Sequence, residues 1–313
     1  MFDNQFYEIQ ELLRKKSDIT ARLNLIPYEG TPEVKESSSG KYLYVRKRVF
    51  GTITSKYVDK YSDELYQILL KSTKEARLLR KEIRRIEKEL LNKGYTEENL
   101  SPRILLNIDF ARVNMKSLIY DQAILEGVGT TYVQTETIIE NGVVNGVSSE
   151  DVQKILNLKR AWEFILDKDV IQSKTDYYIL SYIAKIINEG LIDTGGRIRG
   201  VPVKIGGSNY IPQIPIESTV KEEIDKIIKC NKDEIDIAID LCLYSMKTQI
   251  FLDGNKRASI IFANHYLINK TKGLLVIPFN EVSEFKKLLV EYYEGADKTI
   301  IVNFLKNKCW RKF

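Results

Sequence analysis

TQIFLDGNKRAS, residues 248–259, joins two helical patterns through a short break. Before it, Ile235, Ile239, Cys242 and Met246 recur at helical spacing, and after it KRASIIFANHYL resumes a helix. Phe251-Leu252-Asp253-Gly254-Asn255 forms the break, with the residue types of a tight turn. The first amides of the second helix have no intrahelical partners and lie at the positive end of its dipole. Gly254, Asn255 and Lys256 can therefore present N–H groups to a phosphate. Gly254 permits close approach, Lys256 and Arg257 supply charge to phosphate oxygens, and Asp253 on the rim is suited to a magnesium ion that bridges them. A plainer reading of the same residues is an ordinary turn followed by a solvated Lys-Arg pair.

Working outward, helices are predicted at about 149–168, 176–189, 217–229 and 233–249 before or at the break, and at 256–269, 281–295 and 299–308 beyond it. Another runs from about Arg103 to Gln122 and closes on ILEGVG, residues 124–129. GGRIRGVPVKIGGSNYIP, residues 195–212, breaks helix with Gly and Pro, and Arg197 to Ile205 alternates as a strand, so a small hairpin is predicted there, with Tyr210 and Ile211 packing its base.

Toward the N-terminus, residues 5–26 have a helical pattern, and PYEGTPEVKESSSGK, residues 27–41, reads as a linker. KYLYVRKRVFGTITSKYV follows as a basic hairpin turning at Phe50-Gly51-Thr52. From Ser62, the spacing of Leu65, Leu69, Ser72, Ala76, Leu79, Ile83, Ile86 and Leu90 predicts a long helix with a coiled-coil seam, ending before Gly94. It would run roughly 45 Å. The seam serves either its own chain or a second copy in a homodimer.

The expected organisation is an N-terminal extension over 1–100 and a second domain over 101–313. With 313 residues, 43% hydrophobic and 29% charged, the chain is long enough for this. No apolar run approaches a membrane span, and the opening MFDNQFYEIQELLRKK is charged where a signal peptide is apolar, so no membrane association is expected. Cys230, Cys242 and Cys309 lack metal-ligand spacing and are odd in number, which favours a reduced, cytoplasmic setting. A net charge of +5 is too small to name a nucleic-acid partner. The hairpin cations Lys41, Arg46, Lys47, Arg48, Lys56 and Lys60, interleaved with Tyr42, Tyr44 and Tyr57, keep nucleic acid as an alternative partner.

The 248–259 stretch resembles the Fic/Doc (Fido) signature His-Pro-Phe-x-Asp/Glu-Gly-Asn-Gly/Lys-Arg, matching at Phe251, Asp253, Gly254, Asn255, Lys256 and Arg257. Residues 195–212 are similar to the family's β-hairpin flap, and QAILEG, residues 122–127, to its inhibitory-helix motif in Glu126 and Gly127. The resemblance covers roughly residues 100–305, with an inhibitory-helix-like segment near 104–127. It implies a mainly α domain with a small β-hairpin flap. It also implies an anion cup that orients a nucleoside triphosphate, most often ATP with Mg2+, and AMP transfer to a hydroxyl on a target protein. Doc members transfer phosphate instead. In this frame Gly254, Asn255, Lys256 and Arg257 bind nucleotide and Asp253 holds the metal, while Asp253 and Arg257 assist catalysis. Arg197, Arg199, Val203 and Ile205 would meet the target, and Glu126 would regulate.

Three departures follow. The family's histidine base falls on Gln249, whose amide can orient a hydroxyl but cannot bind a proton near neutral pH. Lys256 is the Doc-type choice. The distal arginine falls on Ile260 and the inhibitory hydroxyl on Gln122, so the auto-inhibitory switch is expected to be eroded. His265, the chain's one histidine, lies nine residues past Lys256, roughly 13 Å along the helix, and is expected in the core. An inactive nucleotide-binding regulator is the alternative to a transferase.

Overall fold

A computed structural model describes residues 2–49, 52–95, 99–142 and 144–312. The chain divides into two compact units, Met1–Thr96 and Glu97–Phe313. No helix among the described residues is long and apolar enough to cross a membrane.

The first unit runs α1 (Phe2–Asn24), β1 (Thr31–Ser37), β2 (Gly40–Val49), β3 (Thr52–Lys60) and α2 (Asp63–Asn92). The strands form an antiparallel sheet in the order β1-β2-β3. The predicted linker is thus partly a strand, paired with β2 from Thr31 opposite Arg46 to Ser37 opposite Gly40. Its residues alternate weakly because β1 is an exposed edge, and an edge strand tolerates Pro32 and charge. Phe50 and Gly51 of the predicted β2–β3 turn lie outside the described residues.

The long helix forms as expected. Ser62 Oγ accepts from Leu65 N at 3.2 Å, Asp63 and Glu64 complement the dipole, and Gly94 takes a φ of +73° just past the end. Its seam is filled within the unit. Leu69 packs with Leu43 and Val45 of β2, while Ile86 and Leu90 pack with Leu13 and Ile19 of α1.

The second unit comprises α3 (Pro102–Leu125), α4 (Tyr132–Asn141), α5 (Ser149–Ile165), α6 (Lys168–Ile171), α7 (Tyr177–Ile187), α8 (Glu217–Lys229), α9 (Glu234–Thr248), α10 (Asn255–Asn269), β4 (Leu274–Leu275), α11 (Val282–Tyr293), α12 (Lys298–Phe304) and β5 (Trp310–Arg311). The sequence reading missed α4, α6 and the β4–β5 pair, all short. α10 carries apolar residues on every side, so no face suits solvent, and it lies at the centre with all of residues 257–268 buried. Helices α9, α7, α3 and α5 pack around it. Buried polar groups lock this arrangement. Gln122 of α3 accepts from Trp162 Nε1 of α5 at 2.9 Å and donates to the Arg257 carbonyl of α10 at 3.2 Å. Asn264 meets both backbone groups of Leu275, at 2.7 and 2.9 Å.

Residues 195–212 form no paired strands. They make an irregular excursion that turns at Gly206-Gly207, where Ser208 N donates to Ile205 O at 3.2 Å. The alternating pattern reflects Ile198, Ile205 and Tyr210 packing on the core rather than a ladder, whereas Ile211 is exposed and does not pack as predicted.

His265 is buried between the Val170 carbonyl, 2.8 Å from Nε2, and the Thr175 hydroxyl, 2.9 Å from Nδ1. The carbonyl can only accept, so Nε2 carries a proton, and in the neutral ring Nδ1 accepts from Thr175. Burial lowers its pKa from 6.5 to about 4. Below pH 6.5 the unfolded chain binds a proton that the folded chain refuses, so this stabilisation is complete above pH 6.5 and is lost as pH falls toward 4. Denaturant unfolding should show about 2 kcal/mol less stability at pH 5 than at pH 7, a difference absent in His265→Asn. Equal stability of the natural protein at both pH values would contradict this.

Candidate functional site

The break between α9 and α10 is shaped by its own side chains. Gln249 takes a left-handed φ of 48° and ends α9, and Gly254 takes a φ of +76° and starts α10. Asn255 spans the turn: Oδ1 accepts from Phe251 N at 2.9 Å, and Nδ2 donates to Phe251 O at 2.7 Å and to Gln249 Oε1 at 3.2 Å. The Asn255 side chain therefore braces the loop, and only its backbone faces the cup. Asn188, the residue after α7, donates from Nδ2 to the Asp253 carbonyl at 3.0 Å. A Cβ on Gly254 would come within 3.1 Å of the Asn188 amide, so glycine is required twice over, by space and by φ.

At the first turn of α10, the Arg257 guanidinium is 2% exposed. Its Nη2 donates to Asp253 Oδ2 at 2.8 Å, while Nε lies 3.5 Å from Glu126 Oε2, beyond good hydrogen-bond geometry. Lys256 Nζ lies 3.6 Å from Glu126 Oε1. Arg257 Nη1, Arg257 Nε and Glu126 Oε1 are all buried without a hydrogen-bond partner. A well-packed protein rarely leaves three such groups unsatisfied in one place. The sequence-predicted Asp253, Gly254, Asn255, Lys256, Arg257 and Glu126 thus come together, with two cations, two carboxylates and the free amides of a buried helix N-terminus.

Glu126 lies in this site with glutamine at position 122 and isoleucine at position 260. Ile260 is buried in the core and offers no cation, Gln122 ties helices together, and Glu126 lies against Arg257 and Lys256. The Glu126 carboxylate thus faces the cup beside both cations.

Gln249 is engaged at both ends, its Nε2 donating to Met246 O at 2.7 Å and its Oε1 accepting from Asn255. The Tyr293 hydroxyl is buried without a partner, and burial raises its pKa, so it keeps its proton. Among the described residues no cluster of three His, Cys, Asp or Glu is placed for a metal ion. Magnesium commonly takes only one or two protein carboxylates and fills its remaining positions with phosphate and water. The half-exposed Asp253, with Oδ2 on Arg257, fits that pattern through its other oxygen.

Arg199 departs most from its predicted role. It is buried, donating from Nε to Gln249 O at 2.5 Å, from Nη1 to Val201 O at 2.7 Å and from Nη2 to Gln213 O at 2.6 Å. It pins both ends of the 201–213 excursion to the end of α9, so its guanidinium is taken up by the chain's own carbonyls. Arg197 is exposed, whereas Val203 and Ile205 are half-buried. Neither Asn188 nor Arg199 carries a sequence signal for holding the α9–α10 loop, because the bonds to Asp253 and Gln249 span 65 and 50 residues.

Residues 6–67 match a family described as a domain of unknown function, DUF6788. No curated protein matches the chain by sequence. Solved structures do match. Fic-1 from C. elegans, residues 134–508, aligns over 76% of this chain and 72% of that one at 16% identity and a TM-score of 0.53. The fold is Fic-type. A Fic-domain-containing signalling protein from Bacteroides thetaiotaomicron aligns over 67% of this chain and 85% of that one, at 18% identity and a TM-score of 0.52. A Fic family protein from Desulfovibrio desulfuricans covers 67% and 73%, at 17% identity and a TM-score of 0.53.

Arg199→Ala would leave several backbone carbonyls at the foot of the excursion unpaired, at a cost of about 3 kcal/mol. Trypsin cleavage at Arg197 or Lys204 should accelerate in this variant at temperatures where the rest stays folded. Unchanged cleavage and unchanged stability would show that Arg199 does not hold the segment.

Proposed function

We propose that the α10 cup binds a magnesium nucleoside triphosphate, with ATP as the expected ligand, and that the domain transfers AMP from it to a hydroxyl on a target protein. The observation that carries the binding step is the buried Arg257 guanidinium with unsatisfied N–H groups at a helix N-terminus beside Lys256. The AMP-transfer step rests on the Fic-type fold and on the signature match. Amides of residues 254–256 and Arg257 would hold phosphate oxygens, and Lys256 would add charge. Asp253 would hold magnesium, which neutralises phosphate charge when bound.

In transfer, the target's hydroxyl oxygen bonds to the α-phosphorus, the bond to the bridging oxygen breaks, and pyrophosphate leaves. The hydroxyl proton goes to water or to a carboxylate of the target, since Gln249 cannot accept it. General-base help is typically worth 10² to 10⁴ in rate, so the expected reaction is slow rather than absent. A second reading, a nucleotide-binding regulator without transfer, is favoured by the engagement of both polar ends of Gln249.

Glu126 regulates by competition. Its carboxylate lies against the two cations that a phosphate needs, so ligand must displace it. Calorimetry with magnesium ATP tests the cup: Arg257→Ala should weaken binding by roughly 10- to 100-fold, the range for a charge-assisted contact, while Glu126→Gln should strengthen it. Equal affinities for the natural protein and Arg257→Ala would overturn the assignment.

A further inference from the structure

We propose that the N-terminal unit binds single-stranded nucleic acid along the outer face and open edge of its sheet. The charge of the chain is unevenly placed. Residues 1–96 carry 20 Lys and Arg against 14 Asp and Glu, a net +6, so residues 97–313 carry 28 against 29, a net −1. The whole basic excess of the chain therefore lies in the smaller unit.

Strand alternation sorts this charge. Leu43 and Val45 of β2 are buried under α2, which puts Tyr42, Tyr44, Arg46 and Arg48 on the opposite face. From β3, Tyr57 stands opposite Tyr44, Ser55 opposite Arg46 and Ile53 opposite Arg48. Tyr57 is 48% exposed and Ile53 57% exposed. The rings cluster, Tyr44 and Tyr57 at 5.5 Å and Tyr42 and Tyr57 at 6.2 Å between centroids. Lys35 of β1 lies 4.4 Å over the Tyr44 ring. An aromatic platform thus continues into a pair of arginines.

The platform ends at a cleft. Pairing of β1 with β2 stops at Thr31 and Arg46, so residues 47–49 of β2 face an open edge. A cleft of about 380 Å³ opens there, lined by Arg46, Lys47 and Arg48 of β2 and Arg77 and Arg80 of α2. Gly30 forms its floor at a φ of +148°, where a Cβ would strike the Arg46 carbonyl at 2.5 Å. The lining holds one acid, Glu29, which pairs with Lys47 and Arg80. Among the described residues Arg46, Arg48 and Arg77 are exposed and have no carboxylate partner.

Three unpaired arginines beside a tyrosine cluster, with Tyr57 exposed and Tyr42 and Tyr44 half-buried, call for a ligand with both phosphate charge and aromatic faces. A duplex hides the faces of its bases and an acidic peptide has none to stack, so a single strand fits best.

The test is fluorescence anisotropy of the full chain with a labelled single strand of roughly 20 nucleotides, a duplex of the same length and polyglutamate, between about 50 and 200 mM salt. Single-strand affinity should fall with salt at a log–log slope of about −2 to −3, as expected for three to four phosphate contacts. Replacing Arg46, Arg48 and Arg77 together with Gln should lower affinity at least tenfold and flatten the slope by about 2. Tyr57→Ala should lower affinity about fivefold or more with the slope unchanged. The proposal is overturned by absence of binding at the lowest salt. It is equally overturned by undiminished affinity in the folded triple variant, or by tighter binding of duplex or polyglutamate than of single strand. None of these readouts depends on the α10 cup.

Discussion

A buried guanidinium organises the second unit. Arg257 sits in the first turn of a helix that solvent does not reach, with Asp253 on one side of its fork and Glu126 near the other. Its own carbonyl receives Gln122, which in turn receives Trp162, so α3, α5 and α10 meet at one residue. Burying such a charge is costly unless it is paired, and here the pairing is incomplete, with two of its nitrogens unsatisfied. The fold thus holds a buried positive charge whose electrostatic demand is only partly met from within. The loop that presents it is held by Asn255 from inside and by Asn188 and Arg199 from neighbouring segments.

The chemistry follows from what this arrangement does and does not contain. It has cations and oriented amides, the components that stabilise charge on a transferring phosphoryl group. It has no imidazole within reach, because His265 is neutral and enclosed by Thr175 and Val170. Tyr293 keeps its proton, and both carboxylates of the cup already face Arg257. Under the proposed transfer, the cup would supply positioning and charge stabilisation, and proton abstraction would be left to the acceptor side.

The parts legible in the sequence were those set by local pattern. Helices α5, α7, α8, α9 and α10 were recognisable from apolar spacing, and α2 from its seam and its Ser62 cap. That α10 is buried on every side, so that the turn at 254–256 opens a central helix, emerged only from the structure. What escaped was decided by tertiary partners. β1 was hidden because an exposed edge strand needs no apolar alternation. The excursion at 195–212 alternated like a strand, yet its backbone partners are the Arg199 guanidinium and the core rather than a second strand. Arg199 looked like a surface cation because sequence carries no sign that five carbonyls converge on it.

The most direct test is transfer of label from α-labelled ATP with magnesium to protein in a cell lysate, comparing the natural protein with Arg257→Ala and Gln249→His. The account predicts slow transfer by the natural protein, none by Arg257→Ala, and transfer faster by about 10² or more for Gln249→His. A silent natural protein with an active Gln249→His would assign the site to the regulatory reading. Silence from both, in a lysate where the folded proteins bind ATP, would contradict AMP transfer altogether.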